Sequence, residues 1–297
     1  MNLLTLNTLS NENIETNEEV NQLLFEMALS IKKFLSFDDY KLSRFYTEEK
    51  DILEFEIIEN YKFKDAIKSL KREVLEPFFL FLSRKCNTDC LNKMTDNEME
   101  NILDGDLYFD DEPFHGQKYM ILSYCLEKKT FLLSFGKNRW LNYKVIANKT
   151  QKDGLSEKVI LNNIANKEHV VSHYNDKLLA QLPQRNIFYT IEFKKLYLSD
   201  YYASSREKII DKITEAIKSQ FNIDGFLIKT ITNDIWQIKI GTMGGLQQSA
   251  IRVLFKKDGD RAYILHMFTK QGGTTYNYTP EISVAENNYA NIDKGLL

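Results

Sequence analysis

Toward the C-terminus, two strand-forming runs flank a sharp turn and set several cations and an aromatic ring on one surface. The turn reads Lys257-Asp258-Gly259-Asp260, and Asp-Gly between two alternating runs is among the best short hairpin signals. Centred there, it puts Lys257 opposite Asp260, Phe255 opposite Ala262, Val253 opposite Ile264 and Ile251 opposite His266. Side chains alternate along a strand, so these residues share one apolar face with Phe268, suited to pack on helices. The other face carries Arg252, Leu254, Lys256, Arg261, Tyr263, Leu265 and Met267, and it is expected to be open. Cations mixed with an aromatic on an open sheet suit single-stranded RNA. The plainer reading is a solvated strand face with an ordinary scatter of Lys and Arg, the default on composition alone.

The elements that would hold this hairpin read off the same stretch. Ile187 to Phe193 is expected to be a strand, and Ser205 to Phe221 a helix with Ile209, Ile210, Ile213, Ile217 and Phe221 on one side. Trp236, Ile238 and Ile240 alternate with Gln237 and Lys239, which predicts a further strand, and a loop over Gly241 to Gln248 leads into the hairpin. Thr279-Pro280 starts a closing helix whose buried side holds Ile282, Ala285 and Tyr289.

The segments Trp236–Ile240, Ile251–Phe255, Tyr263–Lys270 and Thr279–Ile282 together resemble the C-terminal core of the RelE/HigB toxins, in the RelE/ParE superfamily. With the strand and helix before them, the resemblance covers residues from about 185 to 297. It implies a small antiparallel sheet packed on helices and metal-independent cleavage of messenger RNA, usually within the ribosome, with no cofactor. The chemistry is attack of a ribose 2′-OH on the adjacent phosphate. It needs a base, cations for the phosphorane, and an acid for the leaving oxygen. Arg252 matches the family's strand arginine and is the first candidate for the phosphate clamp, since a guanidinium fork fits phosphate oxygens. Lys239, Lys270, His266 and Tyr276 follow as catalytic candidates, and Lys256, Arg261, Tyr263 and Tyr278 as RNA-binding ones. By the hairpin parity His266 and Lys270 point to the apolar face, so a buried, hydrogen-bonded histidine competes with a catalytic one. Two departures stand out: one long helix before the sheet where many members have two, and a less basic domain than most.

The rest of the chain is less telling. From residue 183 onward there are 15 basic and 12 acidic residues, while the part before it is net acidic, which hints at a phosphate-facing surface in the later part. Asn17 to Leu35 has a helical apolar stripe, Ile52 to Tyr61 reads as a strand, and Lys64 to Glu76 as a helix ended by Pro77. Thr95 and Glu98 form a capping box. Lys118–Leu126 and Thr130–Phe135 suggest a hairpin, Tyr143–Ala147 a strand, and Ser156–Leu182 a helix closed by Pro183. Residues 1–19 read as a loose polar leader with no signal-peptide pattern.

Cys86 and Cys90 lack a second ligand pair for zinc, and Cys86, Cys90 and Cys125 read as reduced thiols. The acidic run Asp104, Asp106, Asp110, Asp111 and Glu112 near His115 lacks calcium-loop spacing and reads as a solvated loop, so no metal is expected. Arg139-Trp140 reads as a core-edge anchor before a recognition pair. No run of apolar residues is long enough for a membrane helix.

The expectation is an α+β protein of two domains, 1–182 with a sensing, docking or inhibitory role, and 183–297 like RelE/HigB. It would act in the cytoplasm on mRNA and the ribosome, under an antitoxin or other protein regulator, in a toxin–antitoxin or phage-defence setting. Two alternatives stay open: a ParE-like gyrase poison, and a catalytically inactive RelE-like binding module.

Overall fold

The structure, a computed structural model, describes residues 3–41, 43–87, 94–103, 105–110, 119–151, 154–242, 250–270 and 276–292. The chain divides into two compact units, Met1–Tyr174 and Asn175–Leu297. Each combines a sheet with helices, so the architecture is α+β.

The first unit runs β1 (Leu3–Leu6), α1 (Asn17–Ser36), β2 (Arg44–Tyr46), β3 (Glu56–Ile58), β4 (Tyr61–Lys62), α2 (Phe63–Ile67), α3 (Arg72–Lys85), β5 (Cys86–Asn87), α4 (Asp96–Leu103), β6 (Gly105–Tyr108), α5 (Met120–Lys128), β7 (Phe131–Leu133), β8 (Lys144–Gln151), β9 (Ser156–Ile164) and α6 (Lys167–Leu179), the last helix extending past the division. Its seven-stranded sheet has the order β5-β2-β1-β7-β9-β8-β6. The strands from β5 to β9 run parallel, while β8 and β6 are antiparallel.

Several sequence expectations change here. Leu3–Leu6, taken for part of a loose leader, is a strand inside the sheet; a parallel strand covered on both faces is a short continuous apolar run with no alternation to betray it. Lys118–Leu126 does not form a hairpin strand. Met120–Lys128 is a helix that buries Ile121, Leu122 and Cys125, ended by Lys129 in the left-handed conformation (φ 51°). The first part of Ser156–Leu182 is strand β9, because pairing with β8 overrides a spacing that suited a helix equally. Ile52–Glu54 is a 3-10 turn ahead of β3. Pro77 lies inside α3 and does not end it; Val74, Phe78, Phe81 and Leu82 bury in the core that α1 shares, which offsets the lost backbone donor.

The capping box and the Trp140 anchor are as expected. The Thr95–Glu98 capping box is present in both directions, with Thr95 N–H donating to Glu98 (3.0 Å) and Glu98 N–H to Thr95 Oγ1 (3.3 Å). Trp140 is buried edge-on to Phe109, with the Arg139 guanidinium 3.9 Å from the same ring, an anchor at a core edge. Asp106 is exposed and Asp110 accepts from Asn148 (2.6 Å), while Asp104, Asp111, Glu112, His115, Cys90 and the side chain of Cys86 lie outside the described residues. Among the described residues no group of three or more His, Cys, Asp or Glu is placed to hold a metal ion, and no helix is long and apolar enough to cross a membrane.

The second unit continues with β10 (Ile187–Tyr189), α7 (Ile191–Leu198), α8 (Arg206–Lys218), β11 (Ile228–Thr230), β12 (Trp236–Thr242), β13 (Ala250–Asp258), β14 (Arg261–Lys270) and α9 (Thr279–Ile292). The sheet order is β10-β14-β13-β12-β11, antiparallel except for β10 beside β14. The expected strand Ile187 to Phe193 is cut short at Thr190, whose hydroxyl caps α7 by accepting the Phe193 N–H at 3.2 Å. Two helices therefore precede the antiparallel strands, where the sequence suggested one.

The hairpin differs from its expected register in two ways. Asp258 pairs with Arg261, so the loop is Gly259-Asp260, with Gly259 at φ 60°. That moves each pairing by two residues and leaves the faces unchanged: Phe255 opposes Ile264 and Lys257 opposes Ala262. Farther along, the pairing jumps from Phe255–Ile264 to Leu254–His266, leaving Leu265 as an extra residue in β14. One face of this sheet carries α7 and α8, and the other, expected to be open, is covered in part by α9. Leu254, Tyr263, Leu265, Phe268 and Ala285 form the core beneath α9.

The carbonyl of the extra residue is held from both sides. Thr190 Oγ1 donates to Leu265 O at 2.7 Å, Asn288 Nδ2 donates to it at 2.9 Å, and Thr190 N–H bonds the preceding Ile264 O at 3.1 Å. Thr190→Val removes both the helix cap and one of these donors while keeping the side chain's shape. It is expected to lower stability by roughly 1–3 kcal/mol, read as a shifted midpoint in urea denaturation of the full chain.

Candidate functional site

The bulge at Leu265 decides which side chains of the second unit meet. Beyond it, Leu254 opposes His266, Val253 opposes Met267, Arg252 opposes Phe268 and Ala250 opposes Lys270. Residues paired directly across a ladder share a face. His266, Phe268 and Lys270 therefore lie on the same side as Arg252, and Met267 moves to the other. Uninterrupted alternation would have done the reverse. β12 sets Lys239 opposite Arg252 and Gln237 opposite Leu254, and β11 sets Lys229 opposite Gln237. Four cations, Lys229, Lys239, Arg252 and Lys270, and the imidazole of His266 thus share one side of the sheet.

The N-terminal turn of α9 brings a carboxylate onto this side. Glu281 Oε2 lies 2.8 Å from His266 Nε2, and Tyr276 donates its hydroxyl to Glu281 Oε1 at 2.9 Å. The Nδ1 of His266 is buried and has no hydrogen-bond partner among the described residues. Burial, and then the bond to Glu281, push the Tyr276 phenol up to about 12. Tyr276 stays a proton donor across the neutral range. The Phe268 ring stacks on Tyr276 (5.5 Å between centroids) and lies near-parallel to His266 (6.1 Å), and Tyr278 meets both Phe268 and Tyr276 edge-on. Tyr278 donates to the buried Gln237 Oε1 at 3.2 Å.

Arg252 is half-buried. Its Nη1 donates to the carbonyl of Ile251 at 2.9 Å, and its Nε is buried with no partner among the described residues. A guanidinium with an unmet donor beside a polar cluster is a place where an anion's oxygens fit. The ammonium of Lys239 bonds the carbonyl of Gly225. Lys270 sits at the end of β14, half-buried and opposite Ala250, two residues along from the Arg252–Phe268 pair.

The residues nearest the turn are engaged elsewhere. Tyr263 is buried, stacked on Phe188 (5.2 Å) and edge-on to Tyr289 (5.4 Å), so its ring belongs to the core under α9. Lys256 lies 4.5 Å over Tyr289 and 3.6 Å from Asp234, and Arg261 lies 5.9 Å over Phe188. The structure thus gathers Arg252, Lys239, His266, Lys270, Tyr276 and Tyr278 on one side, and sets Lys256, Arg261 and Tyr263 around the α9 packing.

Sequence reasoning missed Glu281 and Gln237. Glu281 stands two residues past Thr279 in the first turn of a helix, where a carboxylate is ordinary and draws no notice. Gln237 alternates with Trp236 and Ile238 as any outward strand residue does, and only α9 and the tyrosine loop make it a buried group. A polar residue at a position the cover of α9 renders internal is the signal, and it needs the cover to be known.

Residues 197–290 match the family described as Phage derived protein Gp49-like (DUF891). The match runs from the end of α7 to the last turns of α9 and takes in every candidate named above. No curated protein and no solved structure matches the chain.

The geometry around Glu281 predicts a coupled network. Glu281→Gln and Tyr276→Phe are each expected to lower stability by roughly 1–3 kcal/mol, because each leaves a half-buried partner without its hydrogen bond. In a double-mutant cycle followed by urea denaturation, their effects should be non-additive by about 0.5–3 kcal/mol. Simple additivity would mean the two groups do not act as one unit.

Proposed function

We propose that the second unit is a RelE/HigB-type ribonuclease that cleaves messenger RNA in association with the ribosome, in the cytoplasm, without a metal ion. The observation that carries this reading is the return of His266 and Lys270 to the Arg252 side by the bulge at Leu265, within the stretch that matches the Gp49-like family. Arg252 would hold the scissile phosphate and stabilise the charge that develops on it, with Lys239 and Lys270 adding positive potential. His266, oriented through Nε2 by Glu281, has the arrangement of a base backed by a carboxylate, and its Nδ1 would take the 2′-OH proton. Tyr276, kept protonated by its raised phenol, would give a proton to the departing 5′ oxygen. In that scheme the first unit is a sensing, docking or inhibitory partner, and the setting is toxin–antitoxin control or phage defence, with an antitoxin or other protein as regulator.

One observation favours a second reading, a catalytically silent RelE-like binding module. His266 and Tyr276 are both spent on Glu281, and α9 covers much of the face that RNA would approach.

Translating extract supplied with a reporter mRNA separates these. The full chain should cut the message, and Arg252→Ala should reduce the cutting rate by about a hundredfold or more, as removal of one transition-state donor does. Intact message with the unaltered chain and also with residues 175–297 alone sinks the ribonuclease reading. A gyrase supercoiling assay then tests the ParE-like action, and its failure leaves the binding module.

A further inference from the structure

The loop between α8 and β11 presents an apolar ring to solvent from a backbone that is firmly pinned. Phe226 is 87% exposed and its neighbour Ile223 57% exposed, the reverse of what apolar residues in a small domain do by default. Asp224 Oδ1 accepts the N–H groups of Phe226 (2.8 Å), Leu227 (2.8 Å) and Ile228 (3.0 Å). Gly225 supplies a left-handed turn at φ 74°, and its N–H bonds Ile228 O at 2.9 Å. Lys239 grips the Gly225 carbonyl, and Lys257 donates to Gln220 O at 3.2 Å. A ring displayed on so fixed a loop loses little freedom when a partner lands on it.

The chemistry around the ring selects the partner. Lys218 and Lys229 are exposed, and Lys239 and Lys257 are half-buried with their ammonium groups at the base of the loop. The acid in the loop, Asp224, is occupied by three backbone donors. An exposed apolar ring on a loop that Lys239 grips, with Lys218, Lys229 and Lys257 on the flanking segments, fits a polyanion with flat apolar faces. It fits an apolar protein pocket less well, since there the lysines would have to be desolvated. The loop also adjoins the Arg252 side of the sheet through Lys239. Lys239 is the cross-strand neighbour of Arg252, one strand spacing of about 4.8 Å away, and its side chain reaches the carbonyl just before Phe226.

We infer that Phe226 is a nucleobase platform: a base of single-stranded RNA stacks on its phenyl ring while a phosphate of the same strand lies on Arg252 and Lys239. This rests on the RNA reading above and adds a subsite to it. The subsite takes any base, because every base has a face to stack, and it fixes the position of the strand without reading its sequence.

The test uses the full chain and a fluorescein-labelled single-stranded oligonucleotide with 2′-O-methyl riboses, which cannot be cut by 2′-OH attack. Binding is read by anisotropy for the unaltered chain, Phe226→Ala and Phe226→Trp. The alanine form should bind roughly fivefold to a hundredfold more weakly, the equivalent of one lost stacking contact. The tryptophan form should bind at least as tightly as phenylalanine, and its added indole emission should fall as RNA is added. Both side chains project into solvent at this position, so both forms should melt with the unaltered chain.

Equal affinity of the alanine form overturns the inference, as does a chain that binds no oligonucleotide. Weaker message cutting in translating extract by Phe226→Ala with unchanged oligonucleotide affinity also overturns it, in favour of a protein docking on the loop. The cutting assay with Arg252→Ala decides the RNA reading separately, so either can fail while the other stands.

Discussion

Everything at the candidate site depends on one residue too many in β14. A strand with strict alternation would place His266, Phe268 and Lys270 against α7 and α8, away from Arg252. Leu265, unpaired against β13, reverses the sidedness of the rest of the strand, so that one imidazole, one ring and one cation join the arginine. The bulge is held in place by its own carbonyl, freed from the ladder and buried, which accepts from Thr190 on one side and Asn288 on the other. A backbone irregularity of this kind survives because its polar group is met inside the core.

The covered face explains why polar residues sit where apolar ones would be cheaper. α9 lies across Leu254, Tyr263, Leu265 and Phe268, and its first turn brings Glu281 to His266 and Tyr276. Once such groups are under cover, each must find a partner, and the tyrosines, Gln237 and Glu281 supply one another with partners. The atoms left over, Arg252 Nε and His266 Nδ1, stand on one side of the sheet and have no hydrogen-bond partner among the described residues.

Much of the second unit was legible in the sequence. The strands at Trp236, Ile251 and Tyr263, the helix near Ser205 and the closing helix at Thr279 follow from alternation, helical spacing and a Thr-Pro start. The bulge was not legible, because Ala262 to Phe268 is buried throughout and a strand covered on both faces carries no pattern by which its parity can be checked. The same cause hid β1 in the first unit, four residues long and wholly internal to the sheet. The misread helix over Ser156 to Ile164 and the misread strand at Met120 have another cause. Their spacing suits either state, and pairing with β8 in one case and helical burial of Ile121, Leu122 and Cys125 in the other made the choice. Short helices were lost for want of length: α7 holds Phe193 and Tyr197 inside and is otherwise ordinary in composition.

The carbonyl of Leu265 also joins parts of the chain that are far apart in sequence. Thr190 stands at the start of α7 and Asn288 in the last half of α9, and one oxygen atom accepts from both. Peeling α9 from the sheet would remove one of those donors and expose the aromatic layer of Tyr263, Phe268 and Tyr289 together. The helix therefore has no inexpensive local opening of its own. Its amide protons and those of β14 beneath it should exchange as one cooperative unit, whose opening sets how often the covered side of the sheet meets water.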